Sequence, residues 1–307
     1  MLKEKWHLIL LFITITFTII ACDTTEPKLT TYHNKILYTS LSNTKPQLYM
    51  MNTDGSGVQQ ITNDQYWHSE GRWSPNADKI VCNTYENSST AGNEMVIMNP
   101  DGSNKVFLGY GNQMAWSPDG KQIAFVYFPS AEWGSMYQFI YVINADGTNL
   151  KQITSDSLEV INSPCWSKDG SKIYFASNRY DVSKNYPEIY YMNNNGANVT
   201  RVTFTQKGFS VSPSISPAGD KIAFLSTMNN ASAASIYISD LNGNNKILIA
   251  TPPNNEVYNF PRWSPDGQSI LFAALTGSAK IFIYKVNIDG TNLIKLADNA
   301  TSPDWSK

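Results

Sequence analysis

The chain has 307 residues, with 23 Lys and Arg against 25 Asp and Glu, for a formal charge of −2 at pH 7. Phosphate binding needs a positive stripe that this balance does not supply, which excludes nucleic acid as a partner. Apart from Cys22 the only cysteines are Cys82 and Cys165, set in non-neighbouring stretches; buried thiols, not a disulfide, are expected.

Residues 1–21 read as a secretion signal. Lys3 and Lys5 give a positive start, and Leu8 to Ala21 is an apolar run shorter than the ~20 residues of a bilayer-spanning helix, ending at a small residue before a Cys. The junction Ile19-Ile20-Ala21-Cys22 resembles the bacterial lipobox, in which cleavage leaves the Cys as an acylated N-terminus. Each buried CH₂ contributes ~0.8 kcal/mol, so a multiply acylated Cys22 would anchor the protein firmly to a membrane. Residues 22–34 are polar and read as a lipidated tether. An exported protein, held on the periplasmic side or the cell surface, is expected; the choice of membrane stays open.

Residues 35–307 are repetitive. One signature runs Trp73-Ser74-Pro75, Trp116-Ser117-Pro118-Asp119-Gly120, Trp166-Ser167-Lys168-Asp169-Gly170, Ile215-Ser216-Pro217, Trp263-Ser264-Pro265-Asp266-Gly267 and Trp305-Ser306-Lys307. Its spacings of 43, 50, 49, 48 and 42 residues are propeller-blade periods. A second falls between the first: Asn52-Thr53-Asp54-Gly55, Asn99-Pro100-Asp101-Gly102, Asn144-Ala145-Asp146-Gly147, Asn193-Asn194-Asn195-Gly196, Asp240-Leu241-Asn242-Gly243 and Asn287-Ile288-Asp289-Gly290. Pro pre-sets φ, Asp or Asn bonds local backbone and Gly takes positive φ, so both signatures are turns. Two such turns per repeat predict four strands joined as a meander, one blade.

The first repeat opens at its second strand, Ile36-Leu37-Tyr38-Thr39-Ser40, and the chain stops on a Trp-Ser strand with nothing after it. These fragments complete one blade between them, predicting an all-β, six-bladed β-propeller closed by pairing of the last strand with the first repeat, and monomeric.

The Trp-Ser-Pro-Asp-Gly-Lys and Ile-Ala-Phe pattern, followed by Met-Asn-x-Asp-Gly-x-Asn and Gln-Ile-Thr, resembles the repeat of the TolB C-terminal propeller family and covers nearly all of residues 35–307. TolB itself adds an N-terminal α/β domain and has no lipid anchor, so contacts made through that domain do not carry over. Related propellers with peptidase activity carry a separate hydrolase domain, and the metal-binding lyases cluster histidines that this sequence lacks. The resemblance also allows a cation in the central channel, without assigned ligands; no other cofactor is expected.

Trp73, Trp116, Trp166, Ile215, Trp263 and Trp305 are read as structural, packing between blades. An aromatic ring there covers ~150–250 Å², and truncation to Ala costs ~3–5 kcal/mol. The Asn99, Asp101 and Ser103 alternation partly mimics a calcium loop but lacks its bidentate Glu, so turn geometry accounts for it. His33, at the tether edge, and His68, in a loop, are the histidines left after processing; without a nucleophile elbow or a metal-spaced His pair they define no catalytic residues.

Variable connections remain. Those between blades (63–72, 155–164, 204–213 and 251–261) and those between second and third strands (83–94, 127–138 and 177–188) emerge at one end of a propeller. They bring Tyr66, Trp67, His68, Glu70, Trp133, Tyr137, Arg179, Tyr180, Tyr186, Phe209, Tyr258 and Phe260 to a candidate binding rim, with Glu188 nearby. The reading that follows is a non-catalytic envelope lipoprotein binding a protein or acting as a scaffold. A glycan-binding or carbohydrate-processing accessory lipoprotein is the alternative, and a metal-assisted polysaccharide lyase or other propeller enzyme a third.

Overall fold

A computed structural model describes residues 32–307 apart from 87–92, 128–137, 156–160, 180–185, 206, 229–232 and 254–255. The signal, Cys22 and most of the tether therefore lie outside the described residues, as do Trp133, Tyr137 and Tyr180. Tyr32 packs on Trp73 with ring centroids 6.0 Å apart.

The described residues form six four-stranded antiparallel sheets. Blade 1 joins β1 (Lys35–Ser40), β2 (Gln47–Asn52) and β3 (Gln59–Gln60) to the last strand, β24 (Ala300–Trp305). Blade 2 holds β4 (Trp67–Trp73), β5 (Ile80–Tyr85), β6 (Glu94–Met98) and β7 (Val106–Tyr110). Blade 3 holds β8 (Asn112–Trp116), β9 (Gln122–Tyr127), β10 (Phe139–Asn144) and β11 (Lys151–Gln152). Blade 4 holds β12 (Ile161–Trp166), β13 (Lys172–Ser177), β14 (Glu188–Asn193) and β15 (Thr200–Arg201). Blade 5 holds β16 (Ser210–Ile215), β17 (Lys221–Ser226), β18 (Ser235–Asp240) and β19 (Ile247–Ala250). Blade 6 holds β20 (Val257–Trp263), β21 (Ser269–Leu275), β22 (Ile281–Asn287) and β23 (Ile294–Asp298).

The ring closes as predicted. β24 pairs antiparallel with β1, Ile36 opposite Trp305 and Ser40 opposite Ala300. Ser306 N donates to Lys35 O at 2.9 Å, Lys35 N to Ser306 Oγ at 2.7 Å, and Leu41 N to Asn299 O at 2.7 Å.

Burial follows the period of two that an extended strand imposes. Along β17, Ile222 and Phe224 face blade 4, whereas Ala223 and Leu225 face blade 6. Each of the six joints thus holds its own apolar cluster, and the joint between blades 6 and 1, with Leu271, Ile283, Ile36 and Trp305, is built like the others. The Trp position contributes to every cluster. Trp116, Trp166 and Trp263 also donate Nε1–H to the carbonyls of Arg72, Ala115 and Ser214 on the preceding blade, at 3.2, 3.1 and 2.9 Å.

Both turn signatures are tied by side chains. Asp101 Oδ1 accepts from Ser103 N at 3.0 Å and Ser103 Oγ at 2.6 Å, an arrangement repeated at Asp54, Asp146 and Asp289, so these carboxylates lock turns. Gly102 is required twice over: its φ is +83°, and a Cβ there would stand 2.3 Å from Ile61 O of blade 1.

The inner strands differ from expectation. They start earlier than the Trp-Ser motif, so much of the predicted connections 63–72, 155–164, 204–213 and 251–261 is strand, and His68 lies in β4, not in a loop. The cause is a β-bulge in each inner strand. Glu70, Gln113, Ser163, Ser212, Phe260 and Ser302, each three residues before the Trp position, take φ between +52° and +55°. Left-handed backbone at non-glycine residues is strained and commonly marks functional surfaces, and here it recurs around the axis.

Candidate binding face

The axial channel is a stack of rings contributed by equivalent positions of the inner strands. At the end bearing the Trp-Ser-Pro turns, the Trp-position side chains line a cavity of about 220 Å³. Above it the bulge residues Gln113, Ser163, Ser212 and Phe260 narrow the channel to a cavity of about 20 Å³. Neighbouring bulges are hydrogen-bonded: Glu70 Oε2 accepts from Gln113 N at 3.0 Å, and Gln113 Oε1 from Ser163 N at 2.5 Å. Arg72 and Arg262 border both cavities, so a cation at that level would meet two guanidinium charges. Among the described residues no three His, Cys, Asp or Glu side chains come together in an arrangement able to hold a metal ion.

Among the described residues, the predicted rim side chains are not all exposed together. Tyr258 is buried, tilted against Phe272 at 4.5 Å with its hydroxyl donating to Thr251 O, and Phe209 packs against the same joint. Phe260 faces the channel and Glu70 holds a bulge, while Glu188 is buried and accepts from Arg201 at 3.0 Å and from Thr203 Oγ1 at 2.5 Å. The Arg179 guanidinium lies 5.7 Å from the Tyr190 ring centre. Tyr186 is exposed at the loop end of blade 4. Glu70, Tyr258 and Phe260 lie on bulged inner strands, β4 and β20, and not in loops.

The structure instead concentrates aromatic surface on blade 2. Tyr66, Tyr85, Phe107 and Tyr110 line a cavity of about 500 Å³ together with Asp64, Glu86, Glu94 and Lys105. Phe107 and Tyr110 are 53% and 48% exposed and meet edge to face at 5.4 Å, and the half-buried Trp67 packs on Tyr85 at 5.5 Å. Blade 2 differs from its neighbours in its outer strand. In blades 1, 3 and 4 that strand stops after two residues, and a Thr (Thr62, Thr154, Thr203) accepts from the backbone N of Leu48, Ile140 or Ile189. Blade 2 has no such Thr, and β7 runs on for five residues, carrying Phe107 and Tyr110 outward.

Sequence reasoning pointed to Tyr66, Trp67 and His68 but missed Asp64, Tyr85, Phe107 and Tyr110. A signal was available, since no other outer strand contains an aromatic residue.

His68 forms the floor of this cavity. It is 1% exposed, its Nε2 lies 2.8 Å from Asp64 Oδ1, and its Nδ1 lies 4.0 Å from Cys82 Sγ. Cys, His and Asp thus fall in the order of a nucleophile triad, but the electrostatics oppose that chemistry. Burial pushes the Cys82 thiol up to about 12 and pushes His68 below its ordinary value, so the thiol keeps its proton and the imidazole is neutral. Burial also acts to raise the Asp64 carboxyl, but hydrogen bonds from Lys105 and His68 outweigh it and hold the group at about 2. The cluster is a fixed, polar floor beneath an aromatic wall. Cys165, at the channel end of blade 4, is likewise a free thiol.

A closed circle of six four-stranded sheets around a bulged channel, with its repeats alike at one end and unlike at the other, defines a six-bladed β-propeller. Residues 105–307 match the TolB beta propeller domain model, and the chain belongs to that family. Over 73 residues it is 37% identical to the Tol-Pal system protein TolB of Orientia tsutsugamushi (strain Ikeda), a stretch covering 22% of this chain and 16% of that protein. Over 68 residues it is 38% identical to dipeptidyl-peptidase 5 of Porphyromonas gingivalis, covering 22% and 10% respectively. Each match thus spans less than a fifth of the relative's own length. TolB from Acinetobacter baumannii superposes with a TM-score of 0.74 at 22% identity, over 90% of this chain and 67% of that one. An oligogalacturonate lyase in complex with manganese superposes with a TM-score of 0.60 at 13% identity, over 86% and 74%. At these identities the superpositions show the fold, which binding proteins and enzymes share.

Proposed function

We propose that this chain is a non-catalytic, lipid-anchored envelope protein that docks a protein partner through the loop end of blade 2. The observation that carries this reading is the exposed Phe107 and Tyr110 pair beside a cavity walled by Tyr66 and Tyr85, because aromatic anchors next to a pocket dominate protein interfaces. Membership of the TolB propeller family and the relative named for the Tol-Pal system support an envelope setting. The lipobox-like junction at Cys22 supports the anchor.

Phe107 and Tyr110 are exposed, so replacing both with Ala leaves the fold intact. The double variant is expected to lose the envelope proteins that co-purify with the parent chain; unchanged recovery would reject the docking surface. Cys22→Ala is expected to move the protein from the membrane to the soluble fraction. The carboxylates Asp64, Glu86 and Glu94 among aromatic rings also favour a second reading, a glycan site, which retention on a polysaccharide panel would reveal.

A further inference from the structure

The residue immediately before each Trp position forms a ring of its own. Arg72, Ala115, Cys165, Ser214, Arg262 and Asp304 all line the 220 Å³ cavity at the turn end. The charged members belong to the consecutive blades 6, 1 and 2; the small ones belong to blades 3, 4 and 5. One side of the cavity is therefore ionic and the other side leaves room.

The ionic side is incompletely matched. Arg262 Nε lies 3.7 Å from Asp304 Oδ1, longer than a hydrogen bond, while Asp304 Oδ2 is engaged by Trp73 N at 2.9 Å. Arg72 is 6% exposed and donates from Nη1 to the carbonyls of Gly71 and Ser302, at 2.9 and 3.3 Å. Among the described residues it has no ion-pair partner, and its buried Nε has no acceptor. Glu70, the other carboxylate near the axis, accepts from Gln113 N and lines neither cavity. Burial and the neighbouring Arg72 lower Arg262 to about 10, which still leaves it charged at neutral pH. Two guanidinium groups thus meet one carboxylate, Asp304, at the mouth of a cavity walled by indole rings, while Glu70 acts on Arg262 from outside that cavity. A buried guanidinium short of acceptors is what an added anion completes.

We propose that the turn-end mouth of the channel binds a singly charged carboxylate, held between Arg72 and Arg262, with its apolar body against the tryptophan wall beside Ala115, Cys165 and Ser214. This site is separate from the blade 2 surface and stands whether or not that surface docks a protein.

Benzoate, with benzamide as its uncharged isostere, tests the proposal on the purified chain by saturation-transfer NMR and by the fluorescence of the wall tryptophans. Benzoate is expected to bind, and benzamide and Arg262→Gln each to weaken binding by about tenfold or more, the worth of a charge-assisted hydrogen bond. Removing the buried Arg72 would test folding as much as binding, so Ala115→Glu is the complementary variant. It places a carboxylate across from the arginines and is expected to abolish benzoate binding in a folded protein. An acetylated, amidated tripeptide with a central glutamate distinguishes a carboxylate delivered by a peptide side chain from a free acid; binding of either supports the site. Equal binding of benzoate and benzamide, binding of neither benzoate nor the peptide, tighter binding of inorganic phosphate, or parent-like benzoate binding by both variants would overturn it.

Discussion

The two ends of this propeller obey different rules. At the turn end, carboxylates and hydroxyls lock nearly the same turn in blade after blade, as at Asp101 with Ser103 and Asp289 with Thr291. At the loop end the described residues diverge: blades 1, 3 and 4 stop the outer strand after two residues at a Thr, whereas blade 2 lengthens it with aromatic residues. Repetition specifies the scaffold, and the departures from it mark surfaces free to bind. Within the channel the same contrast separates adjacent rings: the Trp position is nearly invariant, while the position before it holds Arg, Ala, Cys, Ser, Arg and Asp.

The comparison is broken most severely by attacking a joint. Phe224 is fully buried between blades 4 and 5, and Phe224→Ala is expected to cost ~3–5 kcal/mol in urea unfolding. Phe107→Ala, on the exposed outer strand, should stay within about 0.5 kcal/mol; equal costs would mean that the loop end is scaffold too. Between these two falls Gly111, where a Cβ would meet Phe125 Cδ2 at 2.3 Å, so Gly111→Ala should lower stability by ~1–3 kcal/mol through overpacking.

Titration sharpens the contrast further, because the turn end carries a repeated set of lowered carboxylates whereas the loop end of blade 2 adds a buried imidazole. Turn carboxylates sit below their ordinary value: Asp169 is held at about 2, first by the Ser167 hydroxyl and then by Ser171. Their contribution is complete above the ordinary value of 3.8 and is lost as pH falls towards 2, so the melting temperature should drop across that interval. Asp169→Asn should flatten part of the drop. His68 is pushed below 6.5 by burial, so the unfolded chain binds its proton first and stability falls as pH drops below that value. His68→Gln should remove this milder loss in melts compared at pH 7 and pH 5, giving the smallest change of the series.

Much of the architecture was legible because a blade writes itself twice per repeat: Asn-Pro-Asp-Gly at 99–102 and Trp-Ser-Pro-Asp-Gly at 116–120 mark turns whatever surrounds them. Closure was legible from Ile36 to Ser40 lacking a partner that Trp305 supplied. The bulges were not. A single register shift, such as that between Ser69 and Arg72, leaves no compositional trace, yet it extends β4 back to Trp67 and sends His68 inward. The candidate surface on blade 2 was legible only in part, since Tyr66 and Trp67 were found by their place in a connection, whereas Phe107 and Tyr110 sit in an outer strand of the repeat. Arg72 and Arg262 were hidden for the opposite reason: they adjoin the most conspicuous residue of the repeat, and only a column-by-column comparison separates them from it.

The clasp between the first and last strands has a topological corollary. His33 Nδ1 touches Lys307 O, and Ser306 Oγ donates to Tyr32 O at the closing sheet. The two ends of the body are therefore neighbours, and a short linker from Lys307 back to Tyr32 would cross no core. New ends could then be opened at any Trp-Ser-Pro-Asp-Gly turn, and a circularly permuted gene starting at Gly120 should yield the same propeller, with every blade made from uninterrupted chain except the one newly cut.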